Sequence, residues 1–139
     1  MLCLCRRCAC WLAAILASAA LWPAVAAESF PFGNELILDA APMHGSKRIP
    51  MLEIEDDGTA SIDLWCTSLQ ARATVGDGTI TIVPGQAANL VQPAPCDPER
   101  QASDDALLTA LTTATTWQRN GDRIDLSGGV TLHYRLMTN

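Results

Sequence analysis

Short apolar runs that alternate residue by residue with polar ones, separated by glycine-bearing turns, constrain this chain more than any other feature. Such alternation lines one face of a β-strand and leaves the other polar. Leu52 and Ile54 alternate with Glu53 and Glu55, and Asp56-Asp57-Gly58-Thr59 follows as a hairpin turn whose glycine suits a positive φ. The run from Ala60 to Trp65 sets Ala60, Ile62 and Leu64 against Ser61, Asp63 and Trp65. Gln70 to Val75 and Thr79 to Val83 flank Gly76-Asp77-Gly78, while Arg123 to Leu126 and Val130 to Leu136 flank Ser127-Gly128-Gly129. With a shorter run from Glu35 to Asp39, the pattern predicts about seven strands. In the last strand Val130, Leu132, Tyr134 and Leu136 share the apolar face, and Thr131, His133 and Arg135 the polar one.

One segment departs from this period. Ser103-Asp104-Asp105 can cap a helix and place carboxylates at its positive end. Leu107, Ala110, Leu111, Ala114 and Trp117 then fall on one helical face, and Asn120-Gly121 closes it. Threonines at 109, 112, 113, 115 and 116 lower the helix propensity, so this helix needs a sheet to pack on. Pro84 to Gln101 reads as a long ordered loop.

The N-terminus predicts the compartment. Arg6 and Arg7 precede a twelve-residue apolar run, Trp11 to Trp22, followed by Pro23 and the small residues Ala24-Val25-Ala26-Ala27. Basic start, short apolar run and small-residue exit form a secretory signal, with cleavage expected after Ala26 or Ala27. A retained anchor and a twin-arginine route are the competing readings of the same stretch. The expected organisation is therefore a signal peptide over 1–27 and one domain over 28–139, periplasmic or secreted, with no stable membrane insertion after cleavage. Cys3, Cys5, Cys8 and Cys10 leave with the signal; Cys66 and Cys96 remain, and two thiols in an oxidising compartment read most simply as one disulfide. Closing a ring of about thirty residues that way is worth about 3–4 kcal/mol in the chain-entropy model.

Of the 139 residues, removal of 1–27 leaves 112, enough for one compact domain. All 15 Asp and Glu lie in that part; of the 9 Lys and Arg, Arg6 and Arg7 depart, leaving seven and a formal charge of −8. That balance argues against nucleic acid and against an anionic membrane surface as partners.

At this point the order of features resembles the META domain family, also called HslJ-like proteins, from about Glu35 to the C-terminus. The resemblance rests on Pro50-Met-Leu-Glu-Ile54, Asp57-Gly58, Ser61-Ile-Asp-Leu-Trp-Cys66, and the Gln70 to Val83 hairpin. It continues through Pro93-Ala-Pro-Cys96, Asp104-Asp-Ala-Leu-Leu108, and Asp122-Arg-Ile-Asp-Leu126 leading to Thr131-Leu-His-Tyr-Arg-Leu136. Thr67 after the first cysteine and Val91 to Pro95 before the second depart from the family's pattern. The resemblance implies a small curved antiparallel sheet or partial barrel of mainly β (α+β) class with one packed helix. It also implies an envelope protein linked to stress tolerance, with no established enzymatic activity.

No catalytic constellation is expected. His133 falls on the outward face of the last strand and His44 in a loop, with no nucleophile spaced to meet either. No metal site is expected from these two histidines, and no cofactor. Glu53, Glu55, Asp56 and Asp57 read as a solvated strand face and turn, not as a hydrolytic carboxylate pair. The expectation is a non-enzymatic, monomeric protein that binds a protein or a small apolar ligand. Its candidate surface is Trp65 with Gln86, Asn89 and Gln92 of the loop that Cys96 anchors. Trp65 is open to two readings, packing against the disulfide or contacting a partner. The alternative function is a protease-inhibitor-like β-barrel, an analogy of fold only.

Overall fold

A computed structural model describes residues 28–85 and 96–137 of the chain. Eight strands form one antiparallel sheet: β1 (Leu36–Leu38), β2 (Met51–Ile54), β3 (Thr59–Asp63), β4 (Ser68–Val75), β5 (Ile80–Pro84), β6 (Thr116–Asn120), β7 (Arg123–Ser127) and β8 (Thr131–Leu136). The helix α1 (Pro98–Thr113) separates β5 from β6. Their spatial order is β5-β4-β3-β2-β1-β8-β7-β6, so the first strand lies between the second and the last.

The sheet curls until its two edges nearly meet. Thr79 and Thr116 form a single bridge, flanked by Ile80 N–H on Thr115 C=O (3.0 Å) and Trp117 N–H on Gly78 C=O (3.1 Å). The Trp117 indole N–H adds a bond to Gly76 C=O at 2.9 Å. Alternation delivers the core: Leu36, Leu52, Ile54, Ile62, Ile80, Ile82, Ile124, Leu126 and Tyr134 all point inward and are almost wholly buried. Leu107 and Leu111 of α1 join the same cluster. Side chains thus fill the interior, as in small barrels generally.

The expected mainly β partial barrel with one helix is what forms, with one strand more than about seven. The extra strand explains the largest correction. Trp117 does not continue the helical stripe; the helix stops at Thr113, and Thr116 to Asn120 form β6 with Trp117 buried and Thr116, Gln118 and Asn120 outside. The β-branched threonines mark where helix yields to strand, and Gly121 (φ 67°) turns β6 into β7 instead of capping a helix. The helix also begins earlier than Ser103. Asp97 is its N-cap, accepting from Arg100 N–H at 3.0 Å, with Pro98 in the first turn, where its missing N–H costs nothing. The loop expected over Pro84 to Gln101 therefore gives its last four residues to α1. At the final hairpin Val130 is 62% exposed and β8 starts at Thr131, so Val130 does not share the inward face.

Candidate functional site

Three carboxyl or cysteine side chains, Cys66, Cys96 and Asp104, build the most distinctive corner of the molecule. β3 and β4 are joined by Leu64–Thr67, a hairpin loop closed by Leu64 N–H on Thr67 C=O (2.8 Å). Connecting loops normally stay at the surface, because buried backbone needs partners. Here Leu64, Trp65 and Cys66 are all buried. Asp104 supplies what the loop lacks. From the middle of α1, 6% exposed, its carboxylate accepts from Trp65 N–H (2.7 Å), from Cys66 N–H (3.1 Å to Oδ2) and from the Thr67 hydroxyl (3.4 Å). Sequence reading set Asp104 in the helix cap. Its position three before Leu107 and seven before Leu111, on the buried stripe, is the signal that could have found its inward role.

The disulfide between Cys66 and Cys96 joins this corner to the entrance of α1, with Cα atoms 5.8 Å apart. Arg48 closes the mouth of the hairpin, donating to Asp63 Oδ1 (3.1 Å) and to the Ser68 hydroxyl (2.6 Å). Of the candidate surface residues, Trp65 is 7% exposed, so packing is its role here and little of it could meet a partner. It also lies in the hairpin loop, not on the outward face of β3. Gln86, Asn89 and Gln92 lie outside the described residues, as does the expected signal over 1–27. The ends of their segment are described: Gly85 N–H bonds Gln70 C=O (2.8 Å) at one side, and Cys96 with the Asp97 cap fixes the other. A shallow cleft of about 340 Å³ opens where the segment leaves β5, floored by Ala71, Val83 and Pro84 and edged by Arg72.

The outer face of β7 and β8 carries a second polar cluster. Cross-strand register sets Asp125 opposite His133 and Arg123 opposite Arg135. Asp125 Oδ1 meets His133 Nδ1 at 2.6 Å and Arg123 Nε at 3.0 Å, and Arg135 reaches Asp39 at 2.8 Å. Partial burial pushes the Asp125 carboxyl up, but the His133 and Arg123 hydrogen bonds and their charge together outweigh it and hold the group below its ordinary value. Arg123 Nη2 also lies 2.7 Å from His133 Nδ1, so this one ring nitrogen stands between a carboxylate that accepts and a guanidinium that donates. His133 does face outward, yet within a network and not simply in water. His44 lies on an exposed turn. Among the described residues no group of three or more His, Cys, Asp and Glu could hold a metal ion.

The acidic row follows the expected strand face and turn. Glu53 is half-buried beside inward Leu52 and Ile54; Glu55 and Asp56 are exposed. Asp57 accepts from Thr59 N–H at 2.7 Å, and that bond holds its carboxyl below the ordinary value. Arg72 bonds Thr59 Oγ1 alongside. A wider cleft of about 380 Å³ lies at the rim between the β4–β5 and β6–β7 hairpins, bordered by Glu28, Asp77, Gln118 and Arg119.

Comparison with known proteins gives a family and a fold. The META domain family model matches residues 33–137. No curated protein matches the chain. Among solved structures, one determined by NMR aligns with a TM-score of 0.53 at 16% identity, over 74% of this chain and 88% of that one. The crystal structure of a DUF4847 family protein from Bacteroides vulgatus aligns with a TM-score of 0.45 at 14% identity, over 62% of this chain and 57% of that one.

Proposed function

We infer that this chain, which belongs to the META domain family, is exported to the cell envelope, loses residues 1–27 on the way, and acts there as a non-enzymatic binding protein in stress resistance. The observation that carries the reading is the double fastening of the segment between Gly85 and Cys96. One end is hydrogen-bonded to β4 and the other is disulfide-bonded to a buried loop. Fixed ends lower the ordering entropy that such a segment loses on binding. Function also concentrates on loops that a rigid scaffold positions. The filled barrel interior favours a protein partner over a small apolar ligand, since the inward positions are occupied by Leu, Ile and Tyr side chains.

The test has two arms. N-terminal sequencing of exported material should begin at Ala27 or Glu28; an intact Met1 on membrane-bound protein refutes the export reading. Affinity capture from envelope extract, repeated with 86–92 replaced by a Gly/Ser linker, should lose its specific partner while circular dichroism stays unchanged. Retention of that partner refutes the segment's role. Inhibition of a protease by the native protein, abolished by the same replacement, would identify the partner class as a protease.

A further inference from the structure

We propose that the corner around Cys66 shields the Cys66–Cys96 bond from thiol reductants, so that it opens slowly and by a single route. Thiol–disulfide exchange requires a thiolate to attack one sulfur and expel the other as a thiolate, and it slows as the leaving thiol becomes a poorer acid. The two sulfurs are not equivalent. Cys66 is 7% exposed inside the buried hairpin loop, whereas Cys96 is half-buried at the entrance of α1. An external thiolate therefore reaches Cys96 Sγ. The new S–S bond forms there, the native one breaks, and the electron pair departs on Cys66.

That departure places a new thiolate near a buried carboxylate. Asp104 Oδ2 lies 3.1 Å from the backbone nitrogen of Cys66. Bond lengths then place it within about 7 Å of the same residue's sulfur. With Asp104 6% exposed, water screens this repulsion weakly. The nearby cations are engaged elsewhere: Arg48 on Asp63 and Ser68, Arg100 on Asp97. Attack in the opposite sense would expel Cys96 but must first reach the buried Cys66 sulfur. The accessible sulfur thus releases the disfavoured leaving group, and the other sulfur is out of reach. If a dithiol is the reductant, its second thiolate displaces Cys96 from the mixed disulfide, leaving the oxidised cyclic dithiol and two protein thiols. The Cys96 sulfur, 3.5 Å from Asp97 C=O, then has an acceptor for its proton. The inference stands on this corner alone and does not depend on what the tethered segment binds.

Native protein exposed to reduced glutathione, quenched with acid, alkylated and peptide-mapped reads the route directly. Glutathione is expected on Cys96, with Cys66 alkylated. Native reduction should run at least about a hundredfold slower than in strong denaturant, and Asp104→Asn should accelerate it about tenfold while Asp105→Asn, an exposed neighbour, leaves it unchanged. Glutathione on Cys66, or a native rate equal to the denatured one, overturns the proposal without any variant. For Asp104→Asn that remains folded, an unchanged rate overturns it as well. So does an acceleration that climbs steeply with sub-denaturing urea, because that identifies local opening and not charge as the cause.

Discussion

Replacing Asp104 with alanine should damage this protein more than removing any single surface charge. The substitution deletes the acceptor for two buried backbone N–H groups, Trp65 at 2.7 Å and Cys66 at 3.1 Å, and for the Thr67 hydroxyl. A buried donor left without a partner costs about 1–3 kcal/mol. Two such donors, less the relief of no longer burying a carboxylate, give a net loss of about 2–4 kcal/mol. For a domain of this size that lowers the melting temperature by roughly 10–25 °C. Asp104→Asn keeps one acceptor oxygen but turns an NH₂ toward donors, so it should recover about half of the loss. Urea titration followed by tryptophan fluorescence measures both, and the slope should stay constant, since the exposed surface on unfolding is the same. The disulfide restrains the same loop, so the alanine cost should grow when Cys66 is also changed to serine, a coupling that a double-mutant cycle reads out. A loss below about 1 kcal/mol for Asp104→Ala would mean that water or backbone adjustment satisfies Trp65 and Cys66 N–H, and would refute the reasoning.

Gly128→Ala should destabilise by about 2 kcal/mol or more, because a Cβ there would stand 2.0 Å from Thr113 C=O and 2.8 Å from Ala114 Cα. Gly129→Ala, whose nearest neighbour would be the Thr113 hydroxyl at 3.8 Å, should leave the urea midpoint unchanged. Cys66→Ser should lower stability by about 2–4 kcal/mol, measured as a shift in the same midpoint. Burial pushes the Tyr134 phenol above its ordinary value of 10.0. Its stability contribution is therefore complete below about pH 10 and declines as pH rises past that point; phenolate absorbance should appear only together with unfolding. Asp125, held below its ordinary 3.8, contributes above that value and loses its contribution as pH falls through its lowered pKa. Asp125→Asn should flatten the acid limb of the stability profile.

The hairpins were legible in the sequence because their turns carry their own chemistry. Asp57-Gly58 and Gly76-Asp77-Gly78 stand where β2–β3 and β4–β5 reverse, with Gly58 and Gly78 at positive φ. The cysteine pair was legible by elimination once the first four were assigned to the signal. Trp117 was misread because an apolar residue seven after Ala110 and six after Leu111 satisfies a helical stripe as well as the inward position of a strand. Only the barrel seam, through Gly76 and Gly78, decides between them. Asp104 was misread for a related reason: two adjacent acids after a serine look like a cap, and nothing local distinguishes a carboxylate that reaches across 39 residues to Trp65. Asp97-Pro98 was the truer cap, hidden inside what looked like a proline-rich loop.

Since β1 pairs with both β2 and β8, the register Leu36↔Leu136 joins positions 100 residues apart. During synthesis β1 emerges early and β8 last of the eight strands. At a synthesis rate of about 5–20 residues per second, Leu36 waits about 5–20 s for its partner. During that interval β2 to β5 can zip as local hairpins, while β1 presents a raw edge that no neighbour covers. Closing so long a loop also places the domain among slow, non-locally paired folders. A chain with this topology stays threadable until its final strand arrives, and it is most exposed to mispairing with a second copy during that wait.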